Sequence, residues 1–224
     1  MIKSAKLSAL FIALVVLFAC AQPASAFMHQ QEGAYLSLEL CNLSLGGDDF
    51  DGTTFYEGSD FIGYVPTIPA GKGVRLCLGG FVEKNAAFEI AFTKTAHDGK
   101  WGTSDLKSTL ANIAIEMQLI FKKRSKFQPY IAGGLALGRL NVHEGFTEVS
   151  NPDFTDAAFN FGMIYGGAGA RLFVARKIAL KGSLERQSNR FYRLKGGGES
   201  YKIEAMIGRG WHLRIGAIFM ISEN

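Results

Sequence analysis

The sequence predicts an all-β protein, an eight-stranded antiparallel up-and-down transmembrane β-barrel. Three observations predict it. Apolar side chains recur at every second position through several segments, which places one set on each face of a strand. The connections between these segments alternate long and short. The chain opens with an export signal.

Residues 1–26 read as a signal peptide and residues 27–224 as one barrel domain. Lys3 and Lys6 form a positive n-region, and Ala9 to Ala21 form an apolar h-region of about thirteen residues, too short to span a bilayer as a helix. Pro23 breaks the run ahead of the small-residue cleavage site Ala24-Ser25-Ala26. Leu17-Phe18-Ala19-Cys20 offers a competing site at which Cys20 would be acylated. Phe18 fits that pattern poorly, and cleavage after Ala26 is the expectation adopted.

Eight strands are expected at roughly 34–45, 73–82, 86–96, 107–121, 129–140, 161–174, 178–191 and 203–221. In the first, Leu36, Leu38 and Leu40 alternate with Tyr35, Ser37, Glu39 and Cys41. In the third, Phe88, Ile90 and Phe92 alternate with Glu89, Ala91 and Thr93. The fourth sets Ile113, Ile115, Met117, Leu119 and Phe121 against Asn112, Ala114, Glu116, Gln118 and Ile120. Short charged turns such as Glu83-Lys84-Asn85 and Ala175-Arg176-Lys177 alternate with long links at 46–72, 97–106, 141–160 and 192–202. This alternation suits a barrel with one end in the periplasm and the other outside. Both termini then fall on the short-turn side.

The non-greasy face carries Glu39, Arg75, Glu89, Glu116, Arg171, Lys181, Glu185 and Arg214, four acids and four bases, alongside Asn112, Gln118 and His212. A narrow lumen needs charges that neutralise one another, because unpaired ones are costly to bury. The balance therefore favours a membrane barrel with a charge-paired interior. A soluble lipocalin-like barrel, with its apolar face turned inward around a ligand, is the lesser alternative. Cys41 and Cys77 share the parity of the polar face. Pairing 34–45 antiparallel with 73–84 sets them opposite each other, so a disulfide and two buried thiols are equally compatible with the sequence.

Removing the export segment lowers the net charge from +4 to +2, which gives no reason to expect nucleic acid as a partner. No apolar run after Ala26 is long enough for a transmembrane helix. Phe121, Phe127, Tyr130, Phe173, Tyr192 and Trp211, near strand ends, are expected to form interfacial girdles. Phe50, Phe55, Tyr56, Phe61, Ile62 and Tyr64 in the first long link either anchor an external ligand or pack over the barrel mouth.

Three segments carry a family likeness: Pro129-Tyr130-Ile131-Ala132-Gly133-Gly134-Leu135-Ala136-Leu137-Gly138, Gly166-Gly167-Ala168-Gly169-Ala170-Arg171-Leu172-Phe173-Val174, and Ile178-Ala179-Leu180-Lys181-Gly182-Ser183-Leu184-Glu185. They resemble the fifth, sixth and seventh strands of small outer-membrane barrels of the OmpA-like and opacity-type kind. The resemblance implies the bacterial outer membrane, with its lipids, the barrel-assembly machinery and an extracellular ligand at the long loops as partners. It implies architecture rather than activity.

Some barrels of this size modify lipid A, so catalysis has to be weighed. Glu185-Arg186-Gln187-Ser188-Asn189 faintly resembles the His-x-Ser-Asn signature of lipid A deacylases, but Arg186 stands where the histidine would be. A serine without a base is a poor nucleophile, so catalysis would need the fold to bring His212 or His97 to Ser188. His97 and His143 fall at the bases of long links without tight metal-ligand spacing. The expectation is thus a non-enzymatic barrel without cofactor or metal, acting in surface interaction or envelope integrity. A lipid A-modifying enzyme and a narrow channel are the alternatives.

Overall fold

The computed structural model describes residues 33–45, 54–57, 60–64, 67–83, 85–101, 104–122, 125–143, 156–196 and 199–221. The strands are β1 (Ala34–Leu43), β2 (Thr54–Glu57), β3 (Asp60–Tyr64), β4 (Gly71–Glu83), β5 (Ala86–Trp101), β6 (Ser104–Ile120), β7 (Phe127–His143), β8 (Asp156–Ala175), β9 (Ile178–Gly196) and β10 (Glu199–Met220). Eight of them close into an antiparallel barrel in the order β1-β10-β9-β8-β7-β6-β5-β4, while β2 and β3 pair as a separate hairpin within the first long link. The export segment lies outside the described residues.

Each expected barrel strand is present. Following paired residues once around the wall from Ala34 returns to β1 at Ser44, ten residues further along. Such a stagger tilts the strands by about 35–45° and leaves an interior just wide enough for side chains to fill. The apolar alternation faces outward, with Leu40 and Leu137 each 69 % exposed, whereas Glu39, Arg75, Glu89, Arg171 and Glu185 are fully buried inside. A soluble barrel with an apolar cavity needs the reverse arrangement, and the lipocalin-like alternative is set aside on that ground.

The long links are shorter than the sequence suggested. His97–Trp101 and Ser104–Ser108 continue the β5–β6 ladder, and β7 with β8, and β9 with β10, likewise extend well past the apolar belt. The outward face turns polar there, which ends the alternation visible in sequence. The inward side chains Leu106, Leu110, Leu140, Val142, Phe159 and Leu194 are buried, so pairing continues. β10 is thus a protruding strand, with its register broken between Lys202 and Met206.

The cysteines do not meet. Cys41 lies opposite Gly73 and Cys77 opposite Ser37, and both are free and buried. The β1–β4 register differs by four residues from the one that aligned them. An even slip leaves every side chain on its expected face, so hydrophobic patterning cannot detect it. Packing can: Tyr35 lies against Gly79, where a Cβ would come within 2.4 Å of its ring. Thiol titration of the denatured, unreduced protein is therefore expected to count two free thiols at Cys41 and Cys77; none would mean that the register is wrong.

The girdle expectation holds for part of its set. Phe121, Phe127, Tyr192 and Trp211 point outward and are exposed, with the Arg186 guanidinium 5.2 Å from the Trp211 ring centroid. Tyr130 and Phe173 point inward and are buried. Among the expected loop aromatics, Phe50 lies outside the described residues.

Candidate functional site

All eight charged residues expected in the lumen are brought together at mid-height in one network, with side chains shielded from solvent. Glu116 on β6 lies between two arginines. Its Oε2 accepts from Arg75 Nη2 at 2.9 Å and from Arg214 Nη1 at 2.9 Å, and Tyr165 OH donates to it at 3.1 Å. Gln118 Nε2 donates to the other oxygen at 2.6 Å. Lys181 on β9 is the complementary junction, a cation between two acids. Its Nζ donates to Glu39 Oε1 at 2.8 Å and to both Glu89 oxygens at 2.7 and 2.8 Å.

Arg214 joins the two junctions. It lies 3.5 Å from Glu39 Oε2, pairs with Glu185 Oε1, and donates from Nε to Ser183 Oγ at 2.9 Å. His212 Nδ1 lies 3.7 Å from Glu185 Oε2. Toward the short-turn end, Arg171 donates to Gln118 Oε1 and to Tyr35 OH, which itself donates to Glu89 Oε1. The Arg171 guanidinium also lies 5.0 Å from the Tyr35 ring centroid, 5.3 Å from that of Phe81 and 5.7 Å from that of Tyr130, within reach of cation–π attraction.

Sequence reasoning missed the tyrosines as members of this site. Tyr35 pairs with Gly79, Tyr165 with Gly134 and Tyr130 with Gly169 across neighbouring strands. Each ring lies over a residue without a side chain, which lets it extend into the lumen. The available signal was parity: Tyr165 and Gly169 stand an even number of residues from the inward Arg171.

Buried apolar clusters flank the ionic layer on both sides, the outer one interleaved with Thr93, Asn112, Gln187 and Asn189. Outward of the ionic layer, the extended hairpins bury Leu43, Leu45, Ile68, Leu110, Phe159, Phe161 and Phe191 in one cluster. At the short-turn end, Tyr35, Phe173, Ala179, Ile218 and Met220 pack together. The end of the first long link helps close the outer layer. Thr67 and Lys100 exchange backbone hydrogen bonds at 2.9 Å, and Ile68 is buried beneath them. His97, inward and above the apolar belt, hydrogen-bonds through Nδ1 to Pro69 O at 3.0 Å and through Nε2 to Thr95 Oγ1 at 2.8 Å. Burial there pushes the imidazole below its ordinary pKa, which favours the neutral ring that can accept from the threonine.

Two candidate chemistries can be compared with this geometry. Ser188 lies on the outward face of β9, while His212 and His97 are buried on the inward face. The barrel wall separates the serine from both histidines. His143 is exposed and His97 buried, so these two are not brought together either. Glu39, Cys77 and Glu89 each place one donor atom within 4.8 Å of the others, the spacing of a metal site. The Lys181 ammonium already bridges the two carboxylates, so the cation held there is the protein's own.

The closed eight-stranded wall, its apolar exterior and its polar core define a small outer-membrane barrel. Residues 11–219 match the family of the outer membrane protein beta-barrel domain, and the chain belongs to that family, whose place is the bacterial outer membrane. Among solved structures, it is similar to Neisserial surface protein A, with a TM-score of 0.54 and 15% identity, over 84% of this chain and 97% of that one. It is also similar to the outer membrane protein OprG from Pseudomonas aeruginosa, with a TM-score of 0.55 and 15% identity, over 87% of this chain and 98% of the other. At such identity the likeness concerns the fold. No curated protein matches the sequence.

Proposed function

We propose that the chain is a non-enzymatic outer-membrane protein whose lumen is a structural plug and whose outward hairpins make the contacts that serve surface interaction or envelope integrity. One observation carries this reading: among the described residues, an ionic layer crosses the lumen with a buried apolar cluster on either side of it. A water-filled path would have to cross both apolar clusters. Hydrophobic constrictions of this kind close pores by dewetting.

The reading is tested in planar bilayers. The folded protein is expected to give no sustained single-channel conductance, and long-lived open levels would establish the narrow-channel alternative instead. The position of Ser188 on the lipid side, away from both histidines, argues against the enzyme alternative. Lipid A mass is accordingly expected to stay unchanged when the protein is expressed.

A further inference from the structure

The outer wall of β6 to β9 carries a furrow of about 900 Å³, lined by apolar side chains that include Ile113, Leu137 and Ile164 and by Ser188 and Arg190 at its outer end. A second hollow of about 440 Å³ shares Ile115, Leu135 and Ile164 with it and continues it past Gly133 toward the membrane midplane. The floor owes its depth to Gly162 and Gly133. These glycines differ from those beneath the tyrosines. A Cβ at Gly134 would lie 2.4 Å from the Tyr165 ring, whereas one at Gly162 would meet only Leu137 Cδ2 at 3.8 Å and one at Gly133 only Tyr165 O at 3.7 Å. Backbone packing therefore does not require glycine at the furrow; its effect there is to leave space.

The mouth is basic. Arg190 pairs across the ladder with Gly162, and Arg139 with Asn160, two residues further along β8, so the two arginines flank the outer end of the furrow from β9 and β7. Arg209 pairs with Ser188 from β10. All three are exposed at the outer edge of the apolar belt, and none forms an ion pair with another described residue. An apolar channel that ends beneath unpaired guanidiniums matches a molecule with a hydrocarbon chain and an anionic head.

We infer that this furrow is a binding site for a phosphorylated lipid of the outer leaflet, with one acyl chain lying over Gly162 and Gly133 and a phosphate held by Arg190, while Arg139 and Arg209 on either side add positive charge to the mouth. The site lies on the outside of the wall and does not depend on what the lumen or the hairpins do.

Native mass spectrometry of the folded protein in detergent tests it, with diphosphoryl lipid A and its dephosphorylated form as probes. The wild type is expected to retain one diphosphoryl lipid A at least about tenfold more strongly than the dephosphorylated form, as fits the loss of charge-assisted hydrogen bonds. Arg190→Gln should weaken retention by about tenfold, and Gly162→Leu should abolish it by filling the furrow. Lys72→Gln, on β4 at the opposite side of the barrel from β8, should leave it unchanged. Ile164→Trp serves as a second filling variant should Gly162→Leu fail to fold. Equal retention of the two lipids, or wild-type retention by Arg190→Gln together with a folded filling variant, would show ordinary solvation by lipid and overturn the proposal.

Discussion

Glu116→Ala is expected to be among the most damaging single substitutions in the barrel, lowering stability by about 3–5 kcal/mol, as for one partner removed from a buried ion pair. The loss leaves Arg75 and Arg214 without their shared carboxylate, and Tyr165 and Gln118 without their acceptor. Neither guanidinium can turn to water, since both side chains are almost fully buried. Glu116→Gln should cost less, because its amide oxygen still accepts a hydrogen bond while the charge is lost. Removing one cation as well, in Glu116→Leu with Arg75→Leu, should recover part of the loss, and the non-additivity would measure the coupling. The readout is the urea midpoint of the refolded protein, with heat-modifiable electrophoretic mobility as the check on folding. An unchanged midpoint for Glu116→Ala would show that the ionic layer contributes nothing to stability.

Much of this core was legible in the sequence because a strand obeys parity. Once Leu36, Leu38 and Leu40 are assigned to one face, Glu39 must lie on the other, and the same reasoning places Glu116, Arg171 and Lys181. Parity does not fix partners, since each charge can reach several neighbours across a narrow lumen. Nor does it fix register, as the displacement of Cys77 from Cys41 shows: a slip of four residues preserves every face. What fits that register is shape, the Tyr35 ring lying over Gly79. Shape of that kind depends on residues distant in sequence. The outer hairpins are hard to read in the sequence for a related reason: beyond the belt the outward face turns polar and the apolar side is the inner one, as Leu106, Leu140 and Phe159 show. The interior thus changes character along its axis, which no single strand reveals when read alone.

Lys181→Met separates what stabilises the barrel from what seals it. Methionine keeps an unbranched chain of similar length but leaves Glu39 and Glu89 without the ammonium that contacts both at 2.7 to 2.8 Å. Two buried carboxylates then face each other, with Arg214 3.5 Å from Glu39 and Arg171 3.7 Å from Glu89 as the remaining compensation. A loss of about 3–5 kcal/mol is expected, measured by the same urea titration, with part of it restored in Lys181→Met with Glu89→Gln. Conductance should nevertheless stay absent, because the apolar layers above and below remain in place: Phe159, Phe161 and Phe191 on the outer side, Phe173 and Ile218 on the inner. The two measurements therefore assign different work to different layers. Were Lys181→Met to conduct while still folded, the bridge between Glu39 and Glu89 would be the seal, and the apolar layers would have to be permeable to water.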